Sequence, residues 1–223
     1  MEGVLTVTPT ARHLLVWSHV VTSVAWMSQA LALFALSGYA MSSGDDSGYA
    51  MAELLDTQVL LHFANASAFT GLMLSAMTRW GYFQYWWVLV KFAITLSQLY
   101  AGIFLLSPRL TALAHGTRDA DPVLLGATLL MVSAIAFQAW VSVAKPWKRT
   151  PWGTRPVKPP APPAWVSGFV LLAPVLDYVL ATFVVGNPTP LFCVLIALLY
   201  PLWRARASRR EKDGRVPAAR SRE

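Results

Sequence analysis

The chain has 223 residues, of which 56% are hydrophobic and only 13% are charged, and it carries a formal net charge of +7. Because an average soluble domain has about 25% charged residues, this composition argues against a soluble globular protein. The basic residues lie between and after the apolar runs, so the positive charge does not indicate nucleic-acid binding.

Apolar stretches follow one another along the chain, and most reach the roughly 20 residues that a helix needs to cross a bilayer. The sequence therefore predicts an all-α fold, a polytopic transmembrane helical bundle with six spans at about 15–38, 57–78, 85–106, 122–144, 165–185 and 189–203. The first stretch is longer than the apolar core of a signal peptide. This length favours a retained helix over removal by signal-peptide cleavage within residues 37–40. The last stretch is the shortest and contains Pro190 and Pro201, so it either spans the membrane or re-enters it.

The charges of the connections predict the orientation, because basic residues concentrate in cytoplasmic loops. The connection 145–164 is basic without an acid, and the tail after residue 203 is rich in arginine. The connection 39–56 has four acids and no base, and 107–121 is balanced. One topology satisfies all of these connections: six spans in the plasma membrane of the cell, with both termini in the cytoplasm.

These features divide the chain into four predicted parts. Residues 1–144 form a four-helix transmembrane core, and residues 165–204 form a C-terminal transmembrane hairpin. Residues 145–164 are basic and rich in proline, which disfavours helix, so we expect an extended cytoplasmic linker. Residues 205–223 are basic and poor in large apolar groups, so we expect them to be disordered. This tail either only determines the topology or also contacts anionic lipid headgroups.

Polar side chains recur at helical spacing within the predicted spans. Lys91, Thr95, Gln98 and Gly102 share one face of the third span, so this stripe should face protein. The other spans contribute polar candidates of their own, among them Asn65 and His62 in the second, Gln138, Ser133 and Ser142 in the fourth, and Asp177 in the fifth. Helix packing explains the uncharged ones, as does the small-residue run Ser67, Gly71 and Ser75.

Asp177 and Lys91 are formal charges inside apolar stretches, where a charge is costly. Asp177 lies about 12 residues into its span, near mid-membrane at ~1.5 Å per residue, so it needs a proton or a cationic partner. Lys91 lies about two turns from the cytoplasmic boundary, where its side chain can reach the interface. As the embedded cation, it is also the candidate partner, and we predict a Lys91–Asp177 contact between the third and fifth spans.

His19 and His62 raise the question of a cofactor, because histidine is a common haem and metal ligand. The predicted topology separates the two rings by about 15 Å in height, too far for one haem. Hydrogen bonding is the expected role, so no cofactor is expected. The alternatives are haem or copper ligation by either histidine alone, and an outer metal or proton site that joins His62 to Asp56 and Gln58. The single cysteine, Cys193, excludes a thiolate metal cluster.

The segment HVVTSVAW, with His19 and Trp26, resembles the H-x6-W pattern of copper-resistance D-like membrane proteins, although Ser28 stands where glycine is usual. Residues 15–156 also resemble a family of uncharacterised actinobacterial multi-pass integral membrane proteins, with Tyr85 where histidine is expected. The matching positions are Thr78, Trp80, Gly81, Trp86, Trp87, Val88, Lys91, Lys145, Pro146, Thr150, Gly153 and Arg155. This resemblance implies a membrane protein and implies no activity.

Catalytic motifs such as G-x-S-x-G are absent from the sequence, so an enzyme is not expected. The sequence favours a structural or accessory subunit of a membrane assembly, whose partners are the lipid bilayer and either other membrane subunits or a second copy. One alternative is a haem- or copper-binding membrane protein that uses His19 or His62. The other is a small-solute or proton-coupled transporter that uses Asp177.

Overall fold

The computed structural model describes residues 9–78, 80–153, 164–186 and 189–213, and these residues form six helices and no strand. The helices are α1 (Pro9–Ser43), α2 (Ser47–Met77), α3 (Trp86–Ala114), α4 (Pro122–Ala144), α5 (Ala164–Leu180, continued by Ala181–Val185) and α6 (Leu191–Asp213). The first five are long and apolar enough to cross a membrane, and α6 contains the shorter apolar segment Leu191–Arg204. The predicted all-α fold is confirmed, whereas the sixth span and the orientation stay predictions.

The helices extend beyond the predicted apolar stretches, so the connections are shorter than expected. The predicted connection 39–56 shrinks to the turn 44–46, which Gly44 enters with a φ of 71°. Asp45 in this turn accepts a hydrogen bond from the amide of Ser47, and hydrogen bonds from Ser47 lower the pKa of Asp45. The helix α2 begins before its apolar stretch, at Ser47. The acids Glu53 and Asp56 therefore lie inside α2 and not in a loop.

Three segments widen to π-helical geometry without breaking the helix that contains them. They are Asp56–Leu60 in α2, Gly102–Leu106 in α3 and Ala181–Val185 at the end of α5. A π-helical turn is rare and often occurs at functional sites. The first two lie at the same end of the bundle, the end that holds the turn 44–46, and they border the cavity described below.

Two hydrophobic clusters hold the helices together, and α2 contributes to both. The first joins α1, α2, α3 and α4 and includes Trp26, Ala30, Leu33, Leu60, Ala64, Leu110, Leu124, Val132 and Ile135. The second joins α1 and α2 to α5 and α6 and includes Leu15, Phe69, Met73, Ala76, Val166, Val170, Ala173, Cys193 and Tyr200. The α5–α6 hairpin is therefore packed directly on α2.

The first half of the predicted linker packs against the loop between α2 and α3, an arrangement we call the clasp (residues 80–86 and 145–153). The amide of Thr150 donates to the carbonyl of Gln84 at 3.1 Å, and its hydroxyl donates to the carbonyl of Phe83 at 2.7 Å. The ammonium of Lys145 lies 5.2 Å from the ring centroid of Trp80. Residues 145–153 are non-helical and include an isolated antiparallel bridge between Arg149 and Tyr85, and residues 154–163 lie outside the described residues.

A residue of α6 also bonds to the end of α2, close to the clasp. The guanidinium of Arg204 in α6 donates to the carbonyl of Ala76, near the C-terminal end of α2. Carbonyls at a helix C-terminus lack partners within the helix, and a cation there also offsets the helix dipole. The sequence predicts disorder from residue 205 onwards, whereas α6 continues to Asp213; residues 214–223 lie outside the described residues.

Candidate functional site

A continuous ladder of hydrogen bonds joins α3 to α4, and it contains the polar stripe that the sequence predicts. The ammonium of Lys91 donates to the hydroxyl of Ser142 at 2.6 Å, which in turn donates to the backbone carbonyl of Gln138 at 2.8 Å. The hydroxyl of Thr95 donates to the side-chain oxygen of Gln138 at 2.8 Å. The amide nitrogen of Gln138 donates to the side-chain oxygen of Gln98, also at 2.8 Å.

Gln98 is the buried end of the ladder. Its amide nitrogen donates to the carbonyl of Met131 at 2.8 Å, so both groups of this buried side chain have partners. The prediction that Lys91, Thr95 and Gln98 face protein is confirmed. Of the polar residues on α4, Gln138 and Ser142 belong to the ladder, whereas Ser133 is exposed and bonds only to the carbonyl of Leu129 in its own helix.

Beyond Gln98, towards the end of the bundle that holds the turn 44–46, the four helices α1–α4 line a partly open cavity of about 40 Å³. Its wall is mostly apolar and includes Trp26 and Ala30 of α1, Leu60 and Ala64 of α2, Gly102, Ile103 and Leu106 of α3, and Leu124 and Met131 of α4. The polar groups in the wall are few: Ser37, Asp56, Gln98, Ser107 and Thr128. We call this space the Asp56 cavity.

Asp56 is the acidic residue of this cavity, and its exposed fraction is only 6%. One carboxylate oxygen accepts a hydrogen bond from the hydroxyl of Ser107 at 2.6 Å. Both residues border π-helical segments, because Asp56 begins the one in α2 and Ser107 directly follows the one in α3. A buried carboxylate with one hydroxyl partner can take up a proton or a cation.

Asp177 has a different role from the one predicted. Its two carboxylate oxygens accept the amides of Phe192 and Cys193, at 2.8 and 2.9 Å, in the first turn of α6. These amides lack partners within their own helix, and the positive end of the helix dipole favours a carboxylate there. Because Lys91 bonds to Ser142, the predicted Lys91–Asp177 contact is wrong.

His62 and Asn65 lie at a second, smaller cavity of about 10 Å³, which has room for about one water. Asp177, Thr189 and Cys193 also line it, and the His62 ring makes an edge contact with Tyr178 at 5.0 Å. Since residues six apart lie on different faces of a helix, Asp56 and His62 serve different cavities. The predicted outer site that combines Asp56 and His62 is therefore wrong.

His19 fixes the contact between α1 and α2. Its Nδ1 lies 3.1 Å from the hydroxyl oxygen of Thr70 and 3.2 Å from the carbonyl oxygen of Ser67. A carbonyl only accepts, so Nδ1 donates, and Nε2 is the nitrogen available to any other partner. A Cβ at Gly71 would lie 2.9 Å from the His19 ring, so only glycine admits the ring at this distance. This is the packing role predicted for the small-residue run.

Metal ligation gains no support from side-chain placement. Within the described ranges, no group of three or more histidine, cysteine, aspartate or glutamate side chains is arranged to hold a metal ion. Haem or copper binding by His19 or His62 alone stays a prediction.

The pairing of Asp56 with Ser107 was missed by reasoning from the sequence, although a signal for it exists. Residue 56 immediately precedes the apolar stretch 57–78, and residue 107 immediately follows the stretch 85–106. Consecutive spans run antiparallel, so the start of one and the end of the next lie at the same height. Treating both positions as loop boundaries hid this relationship.

Comparisons of the chain with protein-family models, with curated proteins and with solved structures find no match. The resemblance to actinobacterial membrane proteins and to copper-resistance D-like proteins therefore stays a prediction from motifs. Several of its positions nevertheless meet in the clasp, where Trp80, Lys145 and Thr150 make the contacts given above.

Proposed function

We propose that this chain is a multi-pass integral membrane protein of the plasma membrane, with six spans and both termini in the cytoplasm, and that it serves as a structural or accessory subunit of a membrane assembly. The observation that supports this role is the ladder from Lys91 to Gln98, which uses intramembrane polar groups to join helices. The side chains of the ladder join two neighbouring helices, as a rigid scaffold requires.

The outer surface of the bundle supports contact with lipid and with other apolar helices. Large apolar side chains are exposed along α1 and α4, for example Trp17 and Val20 on α1 and Leu130 and Val143 on α4. An apolar surface of this kind is stable in hydrocarbon and also suits packing against a neighbouring subunit or a second copy.

Cysteine labelling tests the topology, because the chain has a single native cysteine. In a Cys193→Ala background, we introduce Asp46→Cys, Arg118→Cys and Trp152→Cys separately and treat intact cells with a membrane-impermeant maleimide. We expect labelling at positions 46 and 118 and none at position 152 until the cells are permeabilised. Labelling of position 152 in intact cells would contradict the proposed orientation.

Cross-linking in intact cells tests the accessory role. We expect the chain to enter a defined complex of constant stoichiometry, which survives extraction in mild detergent and contains either a second membrane protein or a second copy. A chain that stays monomeric both in cells after cross-linking and in mild detergent, by native mass spectrometry, would contradict the role.

Of the alternatives, a small-solute or proton-coupled function has support of its own in the Asp56 cavity. Asp177, the residue that the sequence offered for it, is committed to the first turn of α6. A transport assay in proteoliposomes with Asp56→Asn as the comparison would test this candidate, and equal transport by both proteins would count against it.

A further inference from the structure

We propose that the Asp56 cavity binds a small monovalent cation of the ammonium type, with the carboxylate of Asp56 as its counter-ion. This inference does not depend on the accessory role, since a subunit of an assembly and an isolated protein can both hold such an ion. It rests on the charge of the cavity, on its size and on the chemistry of its wall.

The charge argument comes from a comparison of three buried carboxylates. Asp121 lies 3.1 Å from the guanidinium of Arg109 and 3.4 Å from that of Arg118. Asp177 accepts two backbone amides at a helix N-terminus. Asp56 has the hydroxyl of Ser107, and its carboxylate forms no salt bridge with any residue that the structure describes.

An ionised, unpaired carboxylate in an apolar wall is costly, and either a proton or a bound cation removes this cost. Further negative charge lies close by, because Glu53 precedes Asp56 by one helical turn. Glu53 has a weak partner in the exposed His115, whose Nε2 lies 3.7 Å from its carboxylate. The potential at this end of α2 therefore favours a cation.

The size of the cavity limits the ligand. A volume of about 40 Å³ is roughly that of three water positions, which suits an ammonium ion, a methylammonium ion or a hydrated alkali ion. Calcium and magnesium prefer six or more oxygen ligands, and the wall offers one carboxylate, Asp56, beside the side-chain oxygens of Ser37, Gln98, Ser107 and Thr128.

The wall favours ammonium over an alkali ion. Trp26, with an exposed fraction of 4%, lines the cavity, and an indole ring attracts an ammonium-type cation. The N–H groups of such a cation can donate to the carboxylate of Asp56 as charge-assisted hydrogen bonds. The π-helical segments at Asp56–Leu60 and Gly102–Leu106 border the space, so an irregularity of both helices coincides with the proposed site.

Thermal unfolding of the detergent-purified full chain tests the proposal. Ammonium chloride and methylammonium chloride are compared with sodium chloride and N-methylglucamine chloride, at constant ionic strength and near neutral pH. For the wild type we expect the ammonium salts to raise Tm by about 5 °C at saturation and to change tryptophan fluorescence. Asp56→Asn should abolish both effects, whereas Asp45→Asn, an exposed carboxylate at the same end, should retain them.

Three outcomes would overturn the proposal. The first is the absence of any ammonium effect on the wild type, and the second is an equal effect on Asp56→Asn. The third is an equal rise in Tm with sodium, which would assign the cavity to alkali ions. If Asp56→Asn does not fold, Ser107→Ala replaces it, and we expect this variant to need several-fold more ammonium for half of the effect; an unchanged requirement would also overturn the proposal.

Discussion

The side-chain amides of Gln98 and Gln138 bond directly to each other, with the Nε2 of Gln138 2.8 Å from the Oε1 of Gln98. Each amide also uses its other group, since Gln98 donates to the carbonyl of Met131 and Gln138 accepts from Thr95. Both side chains are buried between α3 and α4. Loss of either one therefore leaves a polar group of the other without its partner.

Gln138→Leu should destabilise the bundle by about 1–3 kcal/mol, because it leaves the buried oxygen of Gln98 and the hydroxyl of Thr95 without partners. The measurement is reversible unfolding in mixed detergent micelles. The double variant Gln98→Leu with Gln138→Leu should cost less than the sum of the single variants, by about 0.6–1.7 kcal/mol. Strict additivity would contradict a direct bond.

Ser133→Ala is the matched control for the ladder. Ser133 lies on α4 like Gln138, but it is exposed, and its hydroxyl bonds to a carbonyl of its own helix. We expect a change within about 0.5 kcal/mol, as for surface positions in general.

Asp177→Ala should loosen the first turn of α6, because the amides of Phe192 and Cys193 lose their acceptor. The buried Cys193 reports on this turn directly, since it is the only cysteine of the chain. If the free energy of local opening falls by about 1.4 kcal/mol, the rate at which a small maleimide modifies Cys193 should rise about tenfold.

Lys91→Met distinguishes the observed role of Asp177 from the contact predicted from the sequence. Lys91 bonds to Ser142 of α4 and forms no salt bridge with Asp177, so its removal should leave the maleimide rate at Cys193 unchanged. An acceleration as large as that of Asp177→Ala would mean that Lys91 and Asp177 act together after all.

The sequence predicts well whatever depends on one helix alone. The stripe Lys91, Thr95 and Gln98 follows from helical spacing, and polar side chains in an apolar stretch must face protein, so its contact with α4 could be foreseen. In the same way, the six apolar stretches each lie largely within one of the helices.

The partners of Asp177 and of Asp56 depend on how helices meet, which the sequence does not state. Asp177 reaches the backbone amides of the next helix only because the α5–α6 connection is short and brings α6 against it. Two π-helical segments border the Asp56 cavity, and no residue pattern in the chain marks them. Backbone partners of this kind leave no signal in side-chain composition.

Gly71→Ala should destabilise the contact between α1 and α2 by about 1–3 kcal/mol, because the new Cβ would lie 2.9 Å from the His19 ring. The ring cannot move away without weakening its bonds to Thr70 and Ser67. Unfolding in mixed micelles measures the loss. His19→Ala combined with Gly71→Ala should cost less than the sum of the two single variants, because the clash then disappears.

Gly126→Ala provides the control for the glycine experiment. Nothing lies within 4 Å of a Cβ at this position in α4, so the alanine meets open space. Because alanine favours helix over glycine by up to about 1 kcal/mol, we expect unchanged or slightly greater stability. A loss equal to that of Gly71→Ala would show that helical glycines matter here for a reason other than the His19 contact.

Tyr82→Phe should maintain or increase stability at neutral pH, because the hydroxyl oxygen of Tyr82 is buried without a hydrogen-bond partner. Tyr82 lies in the loop between α2 and α3, and burial raises the pKa of its hydroxyl to about 12, with Tyr200 adding to the rise and Arg204 opposing it. The folded state thus holds a proton that the unfolded state loses near its ordinary pKa of 10.0. The stabilisation of the folded state by this bound proton is fully present below pH 10.0 and is lost as the pH rises towards about 12.

The wild type should therefore lose more stability than Tyr82→Phe as pH rises from about 10 to about 12. Thermal unfolding in detergent across this interval measures the difference. Tyr39→Phe, at an exposed position near the end of α1, should follow the wild-type profile. If Tyr82→Phe declines as steeply as the wild type, the alkaline sensitivity arises elsewhere, and the buried hydroxyl of Tyr82 does not control it.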